Sequence, residues 1–243
     1  MHMGDAMMKL FKLFVVLLLI GAAKISQVEA ASLGEKILKE RCSSCHNLTG
    51  PEPATLGELR GRKGPDLFYA GNKYRAEWIT EWLQSPQRLR PAGVFYPDHV
   101  KLGEEGDEID ATSFSPHPEL SKEEAKAVAE SLMGFKAKSL LINQGEYKPG
   151  KIPLMMGELL FDKFRGCLAC HQIEPGYGGL SGPEVYTAAD RLQDDYLLSF
   201  MRDPQAWNPK TLMPDKHLKE SDLQKLVHYL HALKEQGFKE ASK

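Results

Sequence analysis

All four cysteines of the chain fall in two copies of one pentapeptide, Cys42-Ser43-Ser44-Cys45-His46 and Cys167-Leu168-Ala169-Cys170-His171. Two thiols about one helical turn apart can add across the two vinyl groups of a single porphyrin. The histidine directly after the second thiol is carried under the ring, where its imidazole can take one axial position on the iron. The C-x-x-C spacing by itself also suits a zinc half-site or a dithiol redox pair. Two copies, each with its histidine and together consuming every thiol, point to two covalently bound haem c groups. The thioether bonds would be made by Cys42, Cys45, Cys167 and Cys170, and the axial bonds by His46 and His171. No thiol pair is left for a disulfide.

Each pentapeptide stands at the end of a short amphipathic helix. The first copy reads Leu33-Gly34-Glu35 through Arg41, and the second Met156-Gly157-Glu158 through Gly166, with two more residues before its cysteine. Both place Gly-Glu ahead of apolar residues at helical spacing. A Gly-Pro turn comes after each site, Gly64-Pro65-Asp66 and Gly182-Pro183-Glu184. A backbone carbonyl at such a turn could accept the Nδ1–H of the proximal histidine and so orient the ring. Next comes an aromatic-bearing helix in each copy, 75–84 and 194–202, in which Trp78 matches Tyr196 and Trp82 matches Phe200. Both stop at a proline, Pro86 and Pro204. The copies close with amphipathic helices at 121–135, opened by Ser121 with Glu123 and Glu124 in its first turn, and at 220–236. No long period-2 runs occur. The expected fold is all-α: two tandem haem domains, 32–137 and 153–243, joined by a Gly- and Pro-bearing linker at 138–152. Each domain is expected to fold fully only with its haem.

The remaining 30 residues at the N-terminus read as a signal peptide. Lys9 and Lys12 form a basic region, 13–23 an apolar one too short for a comfortable membrane span, and Val28-Glu29-Ala30 a small-x-small site with cleavage after Ala30. An uncleaved anchor is the alternative. Translation could equally begin at Met7 or Met8. No cysteine stands at the end of the apolar region, the first being Cys42, which excludes a lipid anchor there. Cleavage removes Lys9, Lys12 and Lys24 together with Asp5 and Glu29, moving the net charge from −2 to −3. That balance, with 42% hydrophobic and 26% charged residues, is that of an ordinary globular protein and gives no reason to expect nucleic acid or an anionic membrane as a partner.

Taken together, these features resemble class I cytochromes c, arranged as a tandem di-haem protein of the periplasm. The resemblance spans nearly all of 32–240. It implies that Pro65 and Pro183 hold the proximal histidines, and that Met213 of Met213-Pro214 is the second axial ligand beside His171. Methionine is a soft ligand that raises the reduction potential. In that family haem is attached outside the cytoplasm, which agrees with the export signal.

The first copy departs from the pattern. Aligning Pro97-Asp98 with Pro214-Asp215 puts Tyr96 where Met213 stands, and Met133 lies inside the closing helix. The candidate sixth ligands of the first haem are His117, held between Pro116 and Pro118, then His99 and Tyr96; an open iron is the remaining case. Bis-histidine ligation would put the first haem below the second in potential. The expected function is single-electron transfer between periplasmic or membrane-bound redox proteins, with no catalytic residues. The alternative is a peroxidase-like di-haem enzyme with an open or weakly ligated N-terminal haem, for which His99, His117, Arg88 and Arg90 are the only candidate groups nearby. A cysteine-ligated, thiosulfate-oxidising haem is ruled out because no free cysteine remains. The acidic run within 103–110 reads as a solvated loop and lacks the ligand pattern of an EF-hand.

Overall fold

The computed structural model describes residues 33–104 and 106–238. The signal peptide expected at 1–30 lies outside them. Each half opens with a helix whose last turn widens to a π turn, Leu38–Cys42 after 33–37 in the first half and Leu160–Phe164 after Leu154–Leu159 in the second. A π turn fits one extra residue into the helix and so redirects the next stretch of chain, here the one that carries the cysteines. Gly34 and Gly157 explain how these opening helices reach the closing ones. A Cβ on Gly34 would fall 2.1 Å from Ala127 O, and one on Gly157 2.2 Å from Tyr229 Cδ2. The Gly-Glu pattern is therefore a crossing point of two helices.

The aromatic helices run Ala76–Trp82 and Asp194–Arg202, each preceded by a four-residue helix, Ala70–Lys73 and Ala188–Arg191. The closing helices run Lys122–Met133 and Glu220–Lys234. Ser121 caps the former in a full capping box with Glu124, satisfying two orphan amides at once. The fold is helical as expected, but two short antiparallel hairpins are added: Val100–Leu102 with Asp107–Ile109, and Gln172–Glu174 with Tyr177–Gly178. Part of the run expected to be a solvated loop is thus a hairpin. Strands this short are below the length at which alternation can be read.

The two halves meet through equivalent residues. Tyr74 and Leu192, each the residue just after a four-residue helix, form an antiparallel bridge. Arg75 N–H donates to Arg191 O and Gln193 N–H to Lys73 O, both at 2.9 Å. These two bonds map onto each other when the halves are exchanged, so the contact has local two-fold symmetry. Around it, Gln193 donates to Gly71 O and Tyr74 O, and Arg75 pairs with Asp194 at 2.9 Å. Asp194 also accepts from His231 at 2.9 Å. Burial pushes the Asp194 carboxyl up, but the bonds from His231 and Arg75 outweigh it and hold the group below its ordinary value. One apolar core runs through both halves, from Leu38, Tyr69 and Val128 to Leu198, Trp207 and Tyr229.

The segment expected to be a linker is a strap bonded to the second half. Asp195 accepts from Gly145 N–H at 2.7 Å and Tyr147 N–H at 2.8 Å. Gln224 bonds both Lys148 N–H and Glu146 O, and Arg202 pairs with Glu146. Its glycines and prolines mark it as irregular chain, and remote side chains claim its backbone groups, leaving little freedom to a tether.

Candidate functional site

His46 and His171 are held in the same way. His46 Nδ1–H donates to Pro65 O at 2.8 Å, and His171 Nδ1–H donates to Pro183 O at 2.7 Å. A carbonyl can only accept, so each ring is the tautomer whose Nε2 carries a free lone pair. Burial lowers the pKa of both imidazoles, more than the Pro65 and Pro183 bonds raise it; Arg62 adds to the lowering at His46, and Arg90 and Arg191 at His171. Both are neutral at pH 7, the form that binds a metal. Cys42 and Cys167 are half-buried while Cys45 and Cys170 are exposed. Burial pushes the Cys167 thiol up to about 11 and Cys42 in the same direction, so both are protonated thiols. In each copy the histidine amide bonds back to the first cysteine's carbonyl, His46 to Cys42 at 2.9 Å and His171 to Cys167 at 3.1 Å, closing the single turn that sets the two thiols on one side.

Residues 155–234 match the family model described as cytochrome c. That stretch is a cytochrome c domain. It contains Cys167, Cys170, His171, Pro183 and Met213, and it implies covalently bound haem c. No curated protein and no solved structure matches the chain.

In the cytochrome c domain the glycine of Gly-Pro has a use beyond turning the chain. A Cβ on Gly182 would lie 2.6 Å from His171 Nδ1, and one on Gly64 would lie 2.5 Å from His46 Cε1. The imidazole rests on a bare α-carbon. Gly182→Ala is therefore expected to displace the ring from the Pro183 carbonyl and to cost about 1–3 kcal/mol through overpacking, read as a fall in Tm. Gly61→Ala, where a Cβ meets nothing within 4 Å, is the control. Met213 is half-buried on the loop after Pro204–Trp207, and its carbonyl accepts from the Gln205 side chain at 3.0 Å.

The three candidate sixth ligands of the first half are placed very differently. His117 stands over His46, with ring centroids 6.1 Å apart. Its Nδ1–H donates to Pro118 O at 2.9 Å, so Nε2 keeps its lone pair, and the ring is T-shaped to Trp82 with centroids 4.8 Å apart. The residues fit the group: two imidazoles whose ring centroids lie 6.1 Å apart, each with Nδ1 held by a backbone carbonyl, are donors of the type that would hold a haem iron. His99 is engaged elsewhere, stacked on Phe114 at 4.1 Å with Nδ1 bonded to Ser113 Oγ at 2.8 Å. A Cβ on Gly93 would lie 2.7 Å from its Nε2, so the ring packs against that glycine. Tyr96 donates to Asp107 at 3.1 Å, beside the hairpin. Arg88 lies 3.7 Å over the Phe114 ring, and Arg90 bonds Ser181 O in the other half. These arginines, read as acid/base or anion-binding candidates for the first haem, are not gathered there.

Sequence reasoning missed the carboxylates immediately after the two Gly-Pro turns. Asp66 is 1% exposed and pairs with Arg62 at 2.7 Å; Glu184 is 2% exposed and pairs with Arg191. Glu184 also caps the next turn through Thr187 N–H. The signal was present, since an acidic residue comes directly after Gly-Pro in both copies, but it read only as part of a turn. Among the described residues no three His, Cys, Asp or Glu side chains converge as they would on a bare metal ion, and no helix is long and apolar enough to cross a membrane.

Proposed function

We propose that the chain is a di-haem c-type cytochrome, one haem in each half, that carries single electrons between redox proteins outside the cytoplasm. The observation that carries the reading is the duplicated contact between a C-x-x-C-H histidine and a Gly-Pro carbonyl, His46 with Pro65 and His171 with Pro183. Haem c, when bound, supplies a one-electron iron couple. The protein's part is to hold that couple still and set its level. The four cysteines tether the rings, and the proline carbonyls fix each proximal imidazole and raise its basicity as a ligand. His117 would be the second residue to hold the iron in the first half, and Met213 in the second. A histidine pair favours the oxidised state and a His/Met pair the reduced state, so with both haems bound the residues would favour transfer from the first half toward the second. Export through the leader at 1–30 puts the chain in the periplasm, where its partners are soluble or membrane-bound redox proteins.

The ligand assignment is tested by the near-infrared spectrum of the ferric holoprotein. The expected result is a sulfur-to-iron charge-transfer band with the intensity of one His/Met haem, beside the signature of one bis-histidine haem. Bands amounting to two His/Met haems contradict it.

A further inference from the structure

Residues 89–92 belong to the first half but are bonded to the proximal turn of the second. Ala92 N–H donates to Leu180 O at 3.1 Å, Glu184 N–H donates to Leu89 O at 2.7 Å, and Arg90 Nη1 donates to Ser181 O at 2.9 Å. These three bonds bracket Gly182-Pro183, whose carbonyl holds His171. Ala92, Gly182 and Glu184 are buried, and Leu89, Arg90, Ser181 and Pro183 are half-buried.

Arg90 is the unusual member. Three guanidinium groups lie within electrostatic reach of one another here: Arg62, Arg90 and Arg191. Arg62 is paired with Asp66 and Arg191 with Glu184, whereas Arg90 has a carbonyl as its described partner and no carboxylate among the described ion pairs. Burial, and after it the neighbouring arginines, lowers its pKa to about 10, which still leaves it charged at pH 7. Its charge lowers the pKa of His171, opposing a second positive charge there.

We propose that Arg90 is a positioning residue for the second haem, a cation supplied by the first half that steadies the 181–183 turn and holds positive charge beside the proximal histidine. This rests on the haem reading above. A fixed positive charge in a partly dehydrated site favours the state of lower positive charge, which is the reduced one. The long segment between the first half's aromatic and closing helices then has two functions. Its start braces the second site, and its end brings His117 to the first.

The test is a spectroelectrochemical titration of the full-length holoprotein that resolves both midpoints. Arg90→Gln is expected to shift the second haem's reduction equilibrium about tenfold toward the oxidised form, a fall of about 59 mV for a one-electron couple, with the first haem unmoved. Arg90→Lys keeps the charge and is expected to stay near the wild-type midpoint, as is Arg88→Gln. Amide exchange at Ala92 and Glu184 reports whether the brace survives. If Arg90→Gln loosens it, Arg90→Lys decides: a wild-type midpoint supports the assignment, and a midpoint as low as that of Arg90→Gln overturns it. Unmoved midpoints, or equal shifts of both haems, also overturn it. A wild-type chain bearing haem in only one half would instead defeat the di-haem reading, a separate failure visible before any variant is made.

Discussion

Replacing His117 by alanine is expected to turn a reduced first haem that excludes carbon monoxide into one that binds it stoichiometrically. His117 is placed for ligation by three independent contacts: the 6.1 Å approach to His46, the edge contact with Trp82 at 4.8 Å, and the Nδ1–H bond to Pro118 O. Burial keeps its imidazole neutral, with neighbouring His46 adding to the effect. Flanking by Pro116 and Pro118 restricts the backbone on both sides. Once the ring is removed, no other histidine among the described residues is poised to take its place. His99 is clamped between Gly93 and Phe114. The visible spectrum of the reduced holoprotein on adding carbon monoxide checks this. His99→Ala is expected to behave as wild type. A wild-type first haem that already binds the gas, unchanged in His117→Ala, would mean an open iron, and the peroxidase-like reading would move ahead.

Trp207→Ala is expected to destabilise the whole molecule by about 3–5 kcal/mol, the usual cost of truncating a buried tryptophan. Trp207 has no exposed surface. Its ring lies 5.5 Å from Tyr69 of the first half and 4.6 Å from Tyr196 of the second, centroid to centroid. Its Nε1–H donates to Ser199 Oγ at 3.0 Å, and Ser199 in turn donates to Leu141 O on the strap. One side chain thus joins both halves and the segment between them. For a chain of this size about 2–4 °C is lost per kcal/mol, so Tm falls by roughly 6–20 °C. Because the core is shared, unfolding should remain one transition by both far-UV circular dichroism and haem absorbance. Leu140→Ala, at a fully exposed side chain, should change nothing. Two separated transitions, or a loss under about 1 kcal/mol, the range of an ordinary surface change, would contradict the shared core.

Helix order and the histidine–carbonyl contacts were legible because their signals are local. Ser121 and Glu124 announce the closing helix three residues apart, and the capping box is there. Gly-Pro beside C-x-x-C-H suggested a carbonyl for the histidine, and Pro65 and Pro183 supply it. The features beyond reach depend on residues distant along the chain. His99 and His117 have the same chemistry and similar Pro-rich surroundings; only the ring positions separate them. Arg90 sits 91 residues before the carbonyl it bonds, so it was grouped with the haem nearest in sequence. The strap at 138–152 has a tether's composition, and its order comes from Asp195, Arg202 and Gln224 far downstream. The π turns leave no periodicity of their own in five residues.

The central claim is one covalent haem per half, and the most direct measurement is the mass of the purified holoprotein under denaturing conditions. The expected mass is that of the mature chain plus two haems that survive unfolding, falling to one haem when Cys42 and Cys45 are both replaced by alanine. A wild-type chain that carries one haem, located on Cys167 and Cys170, would contradict it and leave the first half as a fold that resembles its partner without sharing its chemistry.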